Sequence, residues 1–188
     1  GLKYQPPGMR SMLTVALFDL KQQNVLTTDP LNPFFSVQTG EIHTRGLEVE
    51  ALASLMDGLD LVASYTYTDA EISKDTDAAL VGNTPAVTPR HLASLWLDYT
   101  LQEGVLKGLG LGGGVRYVGG SYADNANTFR NEAFTLVDAA VHYERDNWRF
   151  AVNAKNLFDK TYVICNGGDL SCVYGPGRSV IASLRYRW

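Results

Sequence analysis

A period-two alternation of apolar and polar residues runs along almost the whole chain and restricts its fold more than any other feature. The last ten residues show it most clearly, because Val180, Ala182, Leu184, Tyr186 and Trp188 alternate with mainly polar neighbours. Successive side chains of a β-strand point to opposite faces, so this pattern predicts a strand with one apolar and one polar face. The same alternation recurs at about residues 46–54, 59–68, 93–101, 109–118, 137–144 and 148–155.

Two further segments complete the predicted strands. Residues 12–21 are strand-like, although apolar residues occupy both of their faces, and residues 2–4 resemble the tail of another strand. No segment sustains the helical period of 3.6 residues. The sequence therefore predicts an all-β antiparallel meander of about eight long strands.

The connections between these strands alternate in length. Short turns are predicted near residues 6–8, 56–58, 102–104 and 145–147, and long polar loops at about residues 24–40, 71–89, 119–132 and 159–177. Tight turns at one end and long loops at the other are typical of transmembrane outer-membrane β-barrels. Aromatic residues lie towards the strand ends of the apolar face, as in the girdles at a lipid–water boundary. They are Tyr65, Tyr67, Tyr99, Tyr117, Tyr143, Trp148, Tyr186 and Trp188.

Length and charge further limit the classes of protein to which this chain could belong. A chain of 188 residues is one domain or a piece of a larger one. Its formal net charge is −4 and it has no run of Lys or Arg, which argues against nucleic acid as a partner. It has no apolar stretch of ~20 residues, but membrane β-barrels never show one. Two rivals stay open: a self-contained eight-stranded outer-membrane barrel with a structural or adhesive role, and a soluble β-sandwich binding module.

Five short motifs carry a resemblance to a known family. The final strand, residues 184–188, resembles the C-terminal signature of bacterial outer-membrane proteins. Residues 156–162 resemble the N-L-F-D-x-x-Y motif of TonB-dependent receptors. Three strands resemble strands of the same family: residues 114–119 its G-x-R-Y-x-G strand, residues 45–50 its R-G-x-E-x-E strand, and residues 89–91 its P-x-H strand start. The matches follow one another along the whole chain. Among these receptors the chain looks closest to ferric-siderophore receptors of the hydroxamate type, which take ferrichrome or ferrioxamine.

The resemblance implies a TonB-dependent receptor that takes up a ferric siderophore across the bacterial outer membrane. Members have an N-terminal plug domain, a TonB box and a 22-stranded barrel, so residues 1–188 are expected to be the C-terminal part of that barrel, a single incomplete domain. The implied partners are the ferric siderophore, the TonB complex through the missing plug, the lipid of the outer membrane, and the barrel-assembly machinery. Tyr186 and Trp188 would form the assembly signal. No cofactor is expected, because iron is carried only as ferric siderophore.

The two cysteines, Cys165 and Cys172, lie where such receptors commonly have a Cys pair in the last extracellular loop. A metal site would have at most these two ligands, well short of four for zinc. An extracellular loop is in an oxidising environment, so a disulfide is the preferred interpretation.

The family's mode of binding implies that loop aromatics contact the siderophore, with loop packing as the alternative for each. The candidates are Phe34, Phe35, Tyr122, Phe129, Tyr162 and Tyr174. The glycine run 108–114 lies inside a strand rather than before a helix, so we interpret it as small inward-facing residues and not as a dinucleotide site. The three histidines have no metal-ligand spacing, and no catalytic motif is present, so no enzymatic activity is predicted.

Overall fold

The computed structural model describes residues 1–8 and 10–188, and these form thirteen β-strands and one short 3₁₀ turn, Ala78–Leu80. No helix in this described part is long and apolar enough to cross a membrane. The strands are β1 (Leu2–Tyr4), β2 (Ser11–Thr28), β3 (Ser36–Met56), β4 (Leu59–Lys74), β5 (His91–Thr100), β6 (Leu109–Val118), β7 (Ser121–Tyr122), β8 (Arg130–Asn131), β9 (Phe134–Arg145), β10 (Trp148–Lys155), β11 (Val163–Cys165), β12 (Cys172–Tyr174) and β13 (Ser179–Tyr186).

The long strands form one antiparallel sheet with the order β1-β2-β3-β4-β5-β6-β9-β10-β13. Each long strand therefore pairs with the next long strand along the chain, which confirms the predicted meander. The remaining strands form two small hairpins, β7–β8 and β11–β12, within long loops. The sheet does not close, because β1 and β13 lie at its opposite edges.

The pairing registers keep the predicted apolar residues on one face. Val15 lies opposite Val49, which lies opposite Tyr65, and this row continues through Ala93 to Tyr117. The ambiguity in residues 12–21 is thereby resolved, since Leu13, Val15 and Leu17 belong to the apolar face and Phe18 to the other.

Aromatic side chains border this apolar face at both ends of the strands. Tyr65, Tyr67 and Tyr117 lie near the long loops, and Tyr99, Tyr143, Trp148 and Tyr186 lie near the short turns. From Leu59 to Tyr67 a strand advances ~26 Å along its own axis at about 3.3 Å per residue, which suits a tilted crossing of a bilayer core.

The sequence underestimates the length of the first strands. The predicted loops 24–40 and 71–89 are too long, because β2 and β3 pair as far as Thr28 and Ser36 and β4 runs to Lys74. The actual connections are residues 29–35 and 75–90. The strand ends mix polar residues with scattered apolar ones and contain register shifts near Val25, so they lack the alternation that marks a half-buried strand.

Candidate functional site

Three long connections at one end of the sheet are joined by hydrogen bonds into a single layer. We call these connections, residues 75–90, 119–133 and 156–178, the loop tier. Asparagine side chains make the first junction: Asn127 donates through Nδ2 to the Thr84 carbonyl at 2.7 Å and accepts from Thr84 N–H at 3.0 Å. Asn125 accepts from Ala86 N–H at 2.9 Å. A primary amide has one acceptor and two donors, so it can pair with a strand of backbone as another strand would.

A second junction ties the disulfide hairpin to the same layer. Cys165 and Cys172 are bonded, as predicted, and close the β11–β12 hairpin. Asn131 holds both backbone groups of the buried Cys165, donating to its carbonyl at 2.9 Å and accepting from its N–H at 2.8 Å. Gly167 N–H donates to the Ala123 carbonyl at 2.6 Å. The hairpin is therefore docked on the neighbouring loop rather than free in solvent.

The N-L-F-D motif builds the base of the last loop. Asn156 and Asp159 have φ of 50° and 52°, a left-handed conformation that Asn and Asp adopt more readily than most residues. The buried Asn156 side chain accepts from Lys160 N–H at 2.8 Å and donates to the Lys160 and Pro176 carbonyls. Asp159 accepts from Arg178 N–H at 2.7 Å, so the two ends of the loop are fastened together.

Two of the recognised motifs meet at this base. Asp138 forms a bidentate ion pair with Arg116 of the G-x-R-Y-x-G strand, at 2.6 and 3.1 Å. The same carboxylate accepts from the backbone N–H of Asn156 at 2.9 Å. A bidentate guanidinium–carboxylate pair fixes both partners in orientation. Arg116 thus positions the start of the last loop.

Asp124 organises the middle connection of the loop tier. Its carboxylate accepts from Thr128 N–H at 3.0 Å, from the Thr128 hydroxyl at 2.8 Å and from Phe129 N–H at 3.0 Å. These donors stabilise the charged form, and the pKa of Asp124 is lowered, chiefly by the Thr128 backbone hydrogen bond.

A second charged cluster lies on the long ends of β2, β3 and β4. Glu41 is six residues from Leu47 of the apolar face, which puts it ~20 Å away along β3, towards the β2–β3 tip. Its carboxylate accepts from the Ser73 hydroxyl at 2.8 Å and lies 3.0 Å from Lys21 Nζ and 3.3 Å from Lys74 Nζ. The Ser73 hydrogen bond, followed by the Lys21 contact, lowers the pKa of Glu41 to about 2. The side chain is buried by its partners, with 5% exposed.

The predicted aromatic ligands are only partly brought together. Tyr122, Tyr162 and Tyr174 belong to the loop tier, whereas Phe34 and Phe35 lie at the separate β2–β3 tip, where Phe34 is 99% exposed. Tyr174 is also exposed.

Tyr122 and Tyr162 have structural partners. Tyr162 stacks on Phe134 with ring centroids 4.1 Å apart and lies against Gly175, where a side chain would collide with its ring. Tyr122 has the Arg130 guanidinium 6.0 Å from its ring centroid. Tyr162 therefore packs within the last loop, which was the alternative to contact with the siderophore.

An open acidic cleft of about 550 Å³ lies between the β2–β3 tip and the β4–β5 connection. Asp29, Asp75 and Asp77 line it, and each accepts a hydrogen bond from the backbone N–H two residues further along the chain. In the described residues no group of three or more His, Cys, Asp or Glu side chains could hold a metal ion. The cleft therefore supplies negative potential and no coordination site.

The polar face of the sheet carries a groove of about 860 Å³ near the short turns. His142 and Asp98 meet in it at 3.0 Å, and Arg149 and Arg185 line its wall. Gly110, Gly112 and Gly114 face this side, as predicted, but the room they leave is filled from the neighbouring strands. A Cβ at Gly110 would collide with the His142 ring, and a Cβ at Gly112 or Gly114 with Trp96.

Sequence reasoning missed the asparagines that join the loops. Asn125 and Asn127 lie in a polar stretch, Asp124-Asn125-Ala126-Asn127-Thr128, and Asn131 follows three residues after it. Such composition indicates turns with side chain to backbone hydrogen bonds. It does not show which other loop those side chains reach.

Comparison with known proteins places these features in a family. The family model described as TonB dependent receptor-like, beta-barrel matches residues 1–157. The ferrichrome outer membrane transporter/phage receptor of Escherichia coli K12 is 44% identical over 193 residues, covering 100% of this chain and 26% of that protein. The ferrioxamine B receptor of Salmonella typhimurium LT2 is 37% identical, covering 99% of this chain and 27% of that protein.

Solved structures agree. The siderophore receptor PiuA from Acinetobacter baumannii matches with a TM-score of 0.78 and 28% identity over 94% of this chain and 26% of its own. The ferric preacinetobactin receptor BauA of the same species matches with a TM-score of 0.82 and 25% identity over 96% of this chain and 28% of its own. The chain thus spans about a quarter of the length of these relatives.

Proposed function

This chain belongs to the TonB-dependent receptor β-barrel family of the bacterial outer membrane, and we propose from that premise that it is part of a receptor taking up a ferric hydroxamate siderophore. The observation that carries the proposal is the 44% identity with a ferrichrome transporter over the full chain, loops included. The apolar face then faces lipid and the polar face lines the barrel interior.

Loop charge supports the hydroxamate class. A ferric ion bound by three hydroxamates is neutral, whereas a ferric tris-catecholate carries three negative charges. The connections 29–35, 75–90, 119–133 and 156–178 contain seven carboxylates and four Lys or Arg residues. An acidic surface repels an anionic chelate and leaves a neutral one unaffected, so the loops favour hydroxamates.

Capture of the chelate is assigned to exposed loop aromatics. Phe34, Phe35 and Tyr174 have rings open to solvent and are the candidates that support contact best. Tyr122 and Tyr162 would act from within the loop tier. The siderophore saturates its iron, so no protein ligand to the metal and no cofactor is proposed, and the role is transport without catalysis.

The other proposed partners are a plug domain with the TonB complex, and the barrel-assembly machinery. The groove on the polar face, with His142, Asp98 and Arg185, offers hydrogen-bonding groups to a plug domain, through which the TonB complex would act. The last strand, with Tyr186 on its lipid-facing side and Trp188 two residues further along the chain, would be read by the barrel-assembly machinery. Strand β13 would close the complete barrel.

Uptake by the full-length receptor tests the proposal. The gene is expressed in a strain that lacks its own hydroxamate receptors, with and without a functional TonB complex, and ⁵⁵Fe uptake is measured from ferrichrome, ferrioxamine B and a ferric tris-catecholate. We expect TonB-dependent uptake of a hydroxamate chelate and none of the catecholate. Uptake of the catecholate alone, or of neither class, contradicts the hydroxamate assignment.

A further inference from the structure

A cleft at the rim of short turns combines lipid-facing apolar groups with charges of both signs. It has a volume of about 600 Å³ and lies between the β5–β6 and β9–β10 turns. Its apolar part comes from Leu101, Val105 and Tyr143. Lys107 and Arg145 supply two cations, and Glu144 and Asp146 supply two carboxylates.

The pairing registers place the apolar part of this cleft and Arg145 on the lipid side of the wall. Tyr143 lies opposite Leu109 on the apolar face, and Leu109 accepts a hydrogen bond from Leu101 N–H at 2.8 Å. Arg145 lies opposite Trp148, which lies opposite Tyr186, and the two aromatic rings are 4.7 Å apart. Arg145 therefore belongs to the aromatic girdle next to the short turns, where polar head groups meet the apolar band.

The β5–β6 turn is longer than the neighbouring short turns and exposes apolar side chains beside the girdle. The turns after β3 and β9 contain two residues each, whereas the chain between β5 and β6 runs from Leu101 to Gly108. Val105 at its tip is 93% exposed and Leu106 is 56% exposed. Apolar side chains at a turn tip beside a lipid-facing girdle gain free energy when they enter the bilayer boundary.

The cations of the cleft keep N–H donors for an external anion. In the described residues Glu144 pairs with Arg149 across the polar face at 3.6 Å, and neither Lys107 nor Arg145 is in an ion pair. The Tyr143 hydroxyl and the Asp146 carboxylate lie near the Arg145 guanidinium, whose five N–H donors leave others for a phosphate. Asp146 lies in the adjacent turn, so one cleft presents two cations and a nearby carboxylate. That distribution complements a head group with a phosphate and, a few ångströms away, an ammonium group.

We propose that this cleft binds a phosphoethanolamine phospholipid of the periplasmic leaflet, with its phosphate on Lys107 and Arg145, its ammonium on Asp146, and its acyl chains beside Leu101 and Tyr143. The proposal needs the wall to span the outer membrane, and it is independent of which chelate the receptor carries.

Retention of lipid by the full-length receptor tests this site. The receptor is purified in a mild detergent, equilibrated with equal amounts of phosphatidylethanolamine and phosphatidylglycerol, and examined by native mass spectrometry. We expect preferential retention of phosphatidylethanolamine by the wild type. The double variant Lys107→Gln/Arg145→Gln should lose roughly tenfold or more of it, as removal of charge-assisted hydrogen bonds implies.

A matched control separates this cleft from general lipid contact. Lys3→Gln removes an exposed cation near the same rim but on the polar face, where Lys3 of β1 lies opposite Thr14, and it should leave retention unchanged. A heat-shifted band on gels verifies that each variant has folded as a barrel. Equal retention by wild type and double variant, or equal retention of the two lipids by the wild type, overturns the proposal.

Discussion

At the scale of single residues, the loops are held by side chains that bond to backbone rather than to one another. Asn131 is buried and satisfies both the N–H and the carbonyl of Cys165 from a different loop. Asn156 does the same for the base of the last loop. A buried peptide group that loses its partner costs about 1–3 kcal/mol, so these few amides have a large effect on loop order.

We predict that Asn131→Ala loosens the disulfide hairpin without opening the barrel. The change leaves the N–H and carbonyl of Cys165 unpaired, which destabilises the docked state by about 2–6 kcal/mol in total. Amide hydrogen exchange of the full-length receptor should become faster at residues 163–174 and stay unchanged in β9 and β10. Asn166→Ala, an exposed change on the same hairpin, is the control. Equal protection in both variants would show that Asn131 does not dock the hairpin.

Glu41 leads to a prediction about pH. Its folded pKa of about 2 lies below the ordinary glutamate pKa of 4.5, so the contribution of its ionised form is complete above pH 4.5 and is lost as the pH falls towards 2. The variant Glu41→Gln should therefore lower the thermal unfolding midpoint of the receptor at pH 6 to 7, and the difference from wild type should vanish near pH 2. Glu71→Gln, an exposed position on β4, serves as the reference. A difference that is independent of pH rules out the ion pairs as its source.

At the scale of elements, the alternation of residues predicted which segments pair and which side they show. Each long strand appears where apolar residues recur at every second position, because one face of this sheet is apolar and the other polar. The extended ends of β2–β4 and the two small hairpins were not predicted, because strands that pair beyond the lipid band need no apolar–polar alternation. The inward-facing positions of the β6 glycines were predicted correctly, but the glycine run itself cannot reveal that Trp96 and His142 fill the room beside it.

The glycine row gives a prediction with an internal control. At Gly114 a Cβ would collide with the Leu95 carbonyl and the Trp96 ring, whereas at Gly113, which faces lipid, nothing lies within 4 Å. Gly114→Ala should destabilise the barrel by about 1–3 kcal/mol, as overpacking does, while Gly113→Ala should be neutral. Urea unfolding of the full-length receptor followed by tryptophan fluorescence gives both values. Equal stability of the two variants would contradict the packing of Trp96 over β6.

At the scale of the whole molecule, the sequence motifs predicted a wall segment of a larger barrel, and the open sheet agrees. The candidate site could be predicted less well from the sequence, because it forms where loops between different strands meet. Its disulfide was correctly predicted from one loop alone, whereas the junctions through Asn127 and Asn131 depend on contacts between residues 34 to 43 positions apart. Local composition carries no information on such pairs.

The two open edges lead to a prediction about residues 1–188 expressed alone. In the part of the chain that the structure describes, β1 and β13 each expose an unpaired row of backbone groups, and no further layer covers the polar face. In detergent the segment should form oligomers or aggregates, since pairing edge to edge with other copies satisfies these groups. Gels of heated and unheated samples should then show no compact monomer band at 20.6 kDa. A heat-shifted monomer of that mass would mean that β13 can close on β1, and it would favour the self-contained small barrel over a segment of a larger receptor.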